Sequence, residues 1–132
     1  MSRENVELVR QTFEAWNAGD LDGVTSSLDA EAEFIPLRSQ LDQSPYKGPE
    51  GMRRFARDAD EEWEYLRLVA DEIRDLGDRV LVLGRFDARG RASGMDLEFP
   101  VAWIVRFRDG KIAFIRTYSD PGEAVKAART DD

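Results

Sequence analysis

The apolar residues of this chain change period once, near Trp63, and that change most narrows the folds open to it: helices first, then a sheet of antiparallel strands. Val6, Val9, Phe13 and Trp16 follow one another at intervals of 3, 4 and 3 residues, with Arg3, Glu7, Arg10 and Glu14 between them. Residues 3–18 are therefore predicted to form an amphipathic helix, with Ser2 as its cap and Gly19 as its stop. Asp20 caps a second short helix that carries Leu21, Val24 and Leu28 on one face. Residues 31–37 read as extended, and Pro36 is tolerated there only at a strand end or edge. From Arg38 to Gly48 periodicity fails and polar residues dominate, which marks a loop of functional length and a candidate lid. Pro49 suits the first turn of a third helix, continued by Met52, Phe55, Ala59 and Trp63.

Past Trp63 the pattern predicts four strands, over 65–76, 79–89, 95–108 and 111–119, each pair separated by a glycine-containing turn. Asp109-Gly110 supplies the two positive-φ positions of a type I′ turn, so the last two strands are adjacent and antiparallel. Asp120-Pro121-Gly122-Glu123 opens a short C-terminal helix through Ala128, beyond which residues 130–132 are expected to fray. The expected architecture is α+β, with helices packed on one face of a curved antiparallel sheet. With 132 residues, 42% of them hydrophobic, the chain can fill one core, and residues 1–132 are read as a single domain.

Composition removes whole classes of chemistry. Without histidine there is no Ser-His-Asp or Cys-His nucleophile and no histidine-ligated metal, and acid-base work falls to Asp, Glu, Lys or Tyr. Without cysteine there are no disulfides, thiolate nucleophiles or cysteine metal sites. A net charge of -8 opposes nucleic acid and anionic membranes as partners. The longest apolar run, Phe99 to Val105, is far too short to span a bilayer, and the first residues are charged where a signal peptide needs an apolar segment. A soluble, cytoplasmic protein is expected. No motif points to a cofactor, and none is expected.

Three turn and cap signals carry a resemblance. Asn17-Ala18-Gly19-Asp20-Leu21-Asp22-Gly23, Gly48-Pro49-Glu50-Gly51 and Arg108-Asp109-Gly110-Lys111-Ile112 resemble the helix-to-helix turn, third-helix start and last hairpin of the nuclear transport factor 2-like superfamily. That superfamily includes SnoaL-like cyclases, ketosteroid isomerases and limonene epoxide hydrolases. Spanning residues 3–128, the resemblance implies a cone-shaped α+β barrel whose curved sheet and three N-terminal helices enclose an apolar pocket. The expected lining is Phe13, Trp16, Phe34, Ile35, Met52, Phe55, Leu97, Trp103 and Thr117. The expected occupant is a small hydrophobic molecule.

The family's catalytic residues match poorly. The isomerase positions, a tyrosine, a carboxylate base and a second acid, fall on Thr12, Ile35 and Trp103, and the His-Asp pair of the cyclases has no histidine here. The Arg-x-Asp of the epoxide hydrolases resembles Arg85-Phe86-Asp87, although that family's second acid aligns with Thr117. If Leu83 faces the pocket, strand alternation carries Arg85 and Asp87 in with it, and Asp87 becomes a candidate general base oriented by Arg85. The other reading is an ion pair on a solvated part of the sheet. Glu33 shares parity with Ile35, which makes it either a third candidate catalytic carboxylate or a solvent-facing charge. The acidic run Asp58 to Glu62 lacks calcium-loop spacing and reads as a solvated face, and no metal site is expected.

Two functions stay open at this point: a small-molecule hydrolase, isomerase or lyase using Asp87, Arg85 and Glu33, or a non-catalytic ligand-binding or interaction module. Both parities of residues 101–107 are apolar, so something must cover the second sheet face. A homodimer is expected to do so, with Tyr118 turned away from the pocket toward the subunit contact.

Overall fold

The computed structural model describes residues 2–37 and 45–130. Within those described residues four helices and six strands follow in the order α1 (Ser2–Asn17), α2 (Leu21–Ser26), β1 (Leu28–Ile35), β2 (Tyr46–Lys47), α3 (Gly48–Glu62), β3 (Trp63–Asp75), β4 (Arg79–Gly90), β5 (Asp96–Arg108), β6 (Lys111–Tyr118) and α4 (Pro121–Thr130). The strands form one open sheet in the order β2-β1-β6-β5-β4-β3. Every pairing is antiparallel except β1 with β6. Register shifts in β1, β3 and β6 mark bulges, the local device that bends a strand.

Local signals account for the element ends. Asp20 Oδ1 accepts the Gly23 amide at 3.0 Å and starts α2. Asp109 and Gly110 hold φ of 52° and 78°, so the β5–β6 hairpin closes on the two left-handed residues it needs. At Gly84 a Cβ would run into the Val69 carbonyl, so only glycine lets β4 pass the bulged part of β3.

Two features depart from the sequence reading. The first strand starts at Leu28 rather than residue 31, and Tyr46–Lys47 pairs with it, where only loop was expected. Two residues are too few to show a period, and it is the pairing with Glu33 and Phe34 that makes them a strand. The expected lid falls largely on residues 38–44, and the Ser2 cap and frayed end on the chain termini; all lie outside the described residues or side chains.

The second departure concerns the layers. Helices α1, α2 and α3 cover the concave face, whose core holds Val9, Phe13, Val24, Met52, Val82 and Trp103. Helix α4 lies on the other face and packs Ala124 and Ala128 on Leu81, Ala102 and Ile104. The chain thus supplies its own cover for the second apolar parity of β5, and the expectation of helices on one face only is corrected. Arg79 ties this helix down: its Nη1 donates to the Ala128 carbonyl at 3.3 Å.

Candidate functional site

The concave face encloses a cavity of about 60 Å³. Helix α1 brings Thr12, Phe13 and Trp16 to it, α2 brings Val24, and α3 brings Met52 and Phe55. Strand residues complete the wall: Phe34 and the adjoining Pro36, Leu66 and Leu68, Phe86, Trp103, then Ile115 and Thr117. Edge-on ring contacts fix its shape. Phe13 meets Trp103 at 4.9 Å, Phe86 meets Trp103 at 5.6 Å, and Phe34 meets Phe55 at 4.7 Å. Helix α1 is clamped to β3 by the Trp16 indole N–H donating to the Leu66 carbonyl at 2.8 Å and by a two-way bond between the Asn17 amide and the Leu68 backbone.

Among the described lining residues, none carries a titratable side chain. The polar side-chain atoms there are hydroxyls and the Trp N–H groups, and the Thr12 hydroxyl already donates to the Leu8 carbonyl at 2.7 Å. Such a wall can hold an apolar molecule by shape and dispersion, but it offers no proton donor or acceptor whose pKa could be tuned.

Seven of the nine expected lining residues meet at this cavity: Phe13, Trp16, Phe34, Met52, Phe55, Trp103 and Thr117. Ile35 and Leu97 do not. Ile35 follows Phe34 and points to the other face, while Leu97 stands 40% exposed at the far end of β5. The positions aligned with the steroid isomerase acid-base set place Thr12 and Trp103 in the wall, and neither can ionise there.

The three candidate catalytic residues lie elsewhere. Phe86 occupies the cavity wall, so alternation sends Arg85 and Asp87 to the opposite face, and the condition that Leu83 face the pocket fails: Leu83 packs beneath α4. Arg85 Nε donates to Asp87 Oδ1 at 3.1 Å, lies 3.2 Å from Glu98 Oε2, and its Nη1 lies 3.2 Å from Asp71 Oδ1. Hydrogen bonding to Asp87 raises the guanidinium pKa above its already high value. With three carboxylates on one guanidinium, the pair is a surface ion ladder rather than the wall of a reaction chamber. Glu33 also sits on the outer face, opposite Phe34, with Lys47 Nζ at 3.7 Å. In the acidic run, Asp58 accepts the Tyr46 hydroxyl at 2.8 Å and Asp60 pairs with Arg91 at 3.4 Å.

Sequence reasoning missed Phe86, Leu66 and Leu68 as lining. Residues 80–83, Val-Leu-Val-Leu, are apolar on both parities, while 85–89 alternate charged Arg85, Asp87 and Arg89 with apolar Phe86 and Ala88, which separates the two faces without saying whether the charged one enters a pocket. The signal lies across strands: Leu68 and Phe86 are register partners, and both project to the concave side.

An open sheet wrapped around three helices with an apolar void between them defines an NTF2-like α+β cone. The SnoaL-like domain family matches residues 9–115, and the chain belongs to that family. Its fold is similar to that of an NTF2-like protein of unknown function from Burkholderia pseudomallei, with a TM-score of 0.80 and 22% identity over 93% of this chain and 95% of that one. A putative SnoaL-like polyketide cyclase from Jannaschia is similar at a TM-score of 0.77, with 22% identity over 98% and 94% of the two chains. TerC, co-crystallised with polyporic acid, is similar at 0.80, with 18% identity over 96% and 99%. A search of curated protein sequences finds no match. No helix among the described residues is long and apolar enough to cross a membrane.

Proposed function

We propose that this protein is a non-catalytic receptor for a small apolar molecule, held in the cavity between α1, α3 and the concave sheet face. The observation that carries the reading is the wall itself, whose described residues include no acid or base. Enzymes of this type of pocket need a positioned proton carrier, and the three carboxylate and guanidinium candidates stand on the other side of the sheet. TerC, similar in fold and crystallised with polyporic acid, supports an organic occupant. At about 60 Å³ the cavity is smaller than the roughly 300–1,000 Å³ of drug-sized pockets. The occupant is therefore a compact molecule, admitted as the flexible Met52 side chain yields.

Toluene is a suitable probe, followed by amide shifts in nuclear magnetic resonance spectra. Binding is expected in the wild type, retained in Asp87→Asn and Glu33→Gln, and lost when Leu68→Phe fills the void. No binding by the wild type, or binding indifferent to Leu68→Phe, would overturn the proposal.

We also propose a homodimer, now through the part of the outer face that α4 leaves uncovered, where Phe114 stands beside Glu31, Glu33, Arg106 and Arg108. Both charge signs on one patch suit a self-complementary contact. Light scattering should report twice the 15.0 kDa of one chain; a species of single-chain mass at micromolar concentration would overturn it.

A further inference from the structure

A second and larger concavity lies outside the first. It measures about 460 Å³ and is bounded by the α1–α2 turn, the last turns of α3 and the start of β3. Trp16, Val24 and Leu66 form the wall it shares with the inner cavity. Its volume falls within the range of pockets that bury small molecules.

The three tryptophans of the chain differ in what they touch. Trp103 stacks edge-on with Phe13 and Phe86, and Trp16 is committed to Phe55 and the Leu66 carbonyl. Trp63, half-buried in this groove, has no ring partner and no acceptor for its indole N–H among the described residues. Tyr65 borders the groove, but its ring turns to the outer face, where its hydroxyl donates to Asp96 at 3.3 Å beside Arg89. A tryptophan face attracts cations through the ring quadrupole.

Charge selects the same class of ligand. The groove is lined by three carboxylates, Asp20, Asp60 and Glu64, against one guanidinium, Arg57. Asp20 caps α2 and faces the amides of that helix's N-terminus, and Asp60 is offset by Arg91. Glu64 makes no hydrogen bond or close ion pair among the described residues, and the cation whose charge it feels is Arg89 of the outer ladder. The net charge of -8 draws cations toward the protein at long range.

We propose that this groove is a binding site for an organic cation, an ammonium or quaternary ammonium group on a small apolar body, seated against Trp63 with Glu64 beside its charge. This site is separate from the inner cavity and stands whether or not that cavity takes a ligand.

Isothermal titration calorimetry with benzyltrimethylammonium and phenylacetate tests it on the intact protein. The cation is expected to bind one to one, and phenylacetate much more weakly. Trp63→Leu should weaken cation binding roughly tenfold, as loss of a cation–π face does. Glu64→Gln should weaken it severalfold, and Arg57→Gln should strengthen it. Glu64 and Arg57 are exposed, so those two variants keep the readout even if Trp63→Leu disturbs the fold. No cation binding, phenylacetate binding as tight as the cation, or an affinity unmoved by Glu64→Gln and Arg57→Gln would each overturn the proposal. Toluene binding at the inner cavity would be untouched by such a failure.

Discussion

Trp103 and Ile104 are neighbours on β5, both nearly fully buried, and they serve opposite faces of one sheet. Trp103 belongs to the ring-lined concave core, while Ile104 lies under α4. Along the strands the concave face stays apolar, but the outer face changes character: dry beneath α4 around Leu81 and Ala102, then an ion ladder from Arg85 to Arg89. What covers a sheet face, rather than which strand it belongs to, decides whether charges can stand on it. Buried charge needs a partner, and exposed charge needs only water.

The comparison can be broken most sharply at Trp103. Trp103→Ala removes the ring that holds Phe13 and Phe86 and should cost about 3–5 kcal/mol in urea unfolding. A loss below about 1 kcal/mol would mean that the ring contacts do not carry the concave face.

Next in size is Ile104→Ala, expected to cost about 2 kcal/mol or slightly more, since a short helix can settle into the gap better than a packed sheet face can. Its signature should differ from that of Trp103→Ala. Amide exchange across residues 121–130 should accelerate while toluene binding persists, and slow exchange in α4 would show that Ile104 is not what seats it.

Smaller still are the ladder variants. Arg85→Gln or Asp87→Asn should leave the urea unfolding midpoint nearly unchanged, because both side chains are partly exposed and water screens their attraction. Ligand binding should not change. Loss of a screened activity in Asp87→Asn, with the fold intact, would move the chemistry to the outer face.

The smallest effect concerns pH. Arg79, which also holds the end of α4, donates a hydrogen bond to Asp78 and thereby keeps that carboxyl below its ordinary value of 3.8. A depressed folded pKa means stability that is present in full above the ordinary value and lost as pH falls through the folded one. Asp78→Asn should therefore unfold less steeply with acid than the wild type when followed by circular dichroism; identical acid transitions would remove Asp78 from the account.

Much of the fold was legible because its signals are local. The Asn17 to Gly23 turn, Pro49 at the head of α3, and Asp109-Gly110 between β5 and β6 each act over a few residues, and the elements fall within a few residues of their expected places. Half of the cavity wall was legible as well, since Phe13, Trp16, Met52 and Phe55 lie on the apolar stripes of their helices. The candidate chemistry was not. Its placement depended on which face of β4 is concave: residues 85–89 alternate and set Arg85 and Asp87 opposite Phe86 and Ala88, but a charged face reads the same whether it lines a pocket or meets water.

The sequence by itself determined the order of elements, the turns that join them, the absence of histidine and thiol chemistry, and an acidic surface, because each depends on neighbours along the chain or on composition alone. The tertiary structure decided three further matters: that Phe86 faces inward and Arg85 and Asp87 outward, that two residues at 46–47 become a strand, and that α4 covers the second apolar face. Each turns on contacts between segments far apart in the chain, and packing selects among arrangements that local periodicity leaves equal in energy.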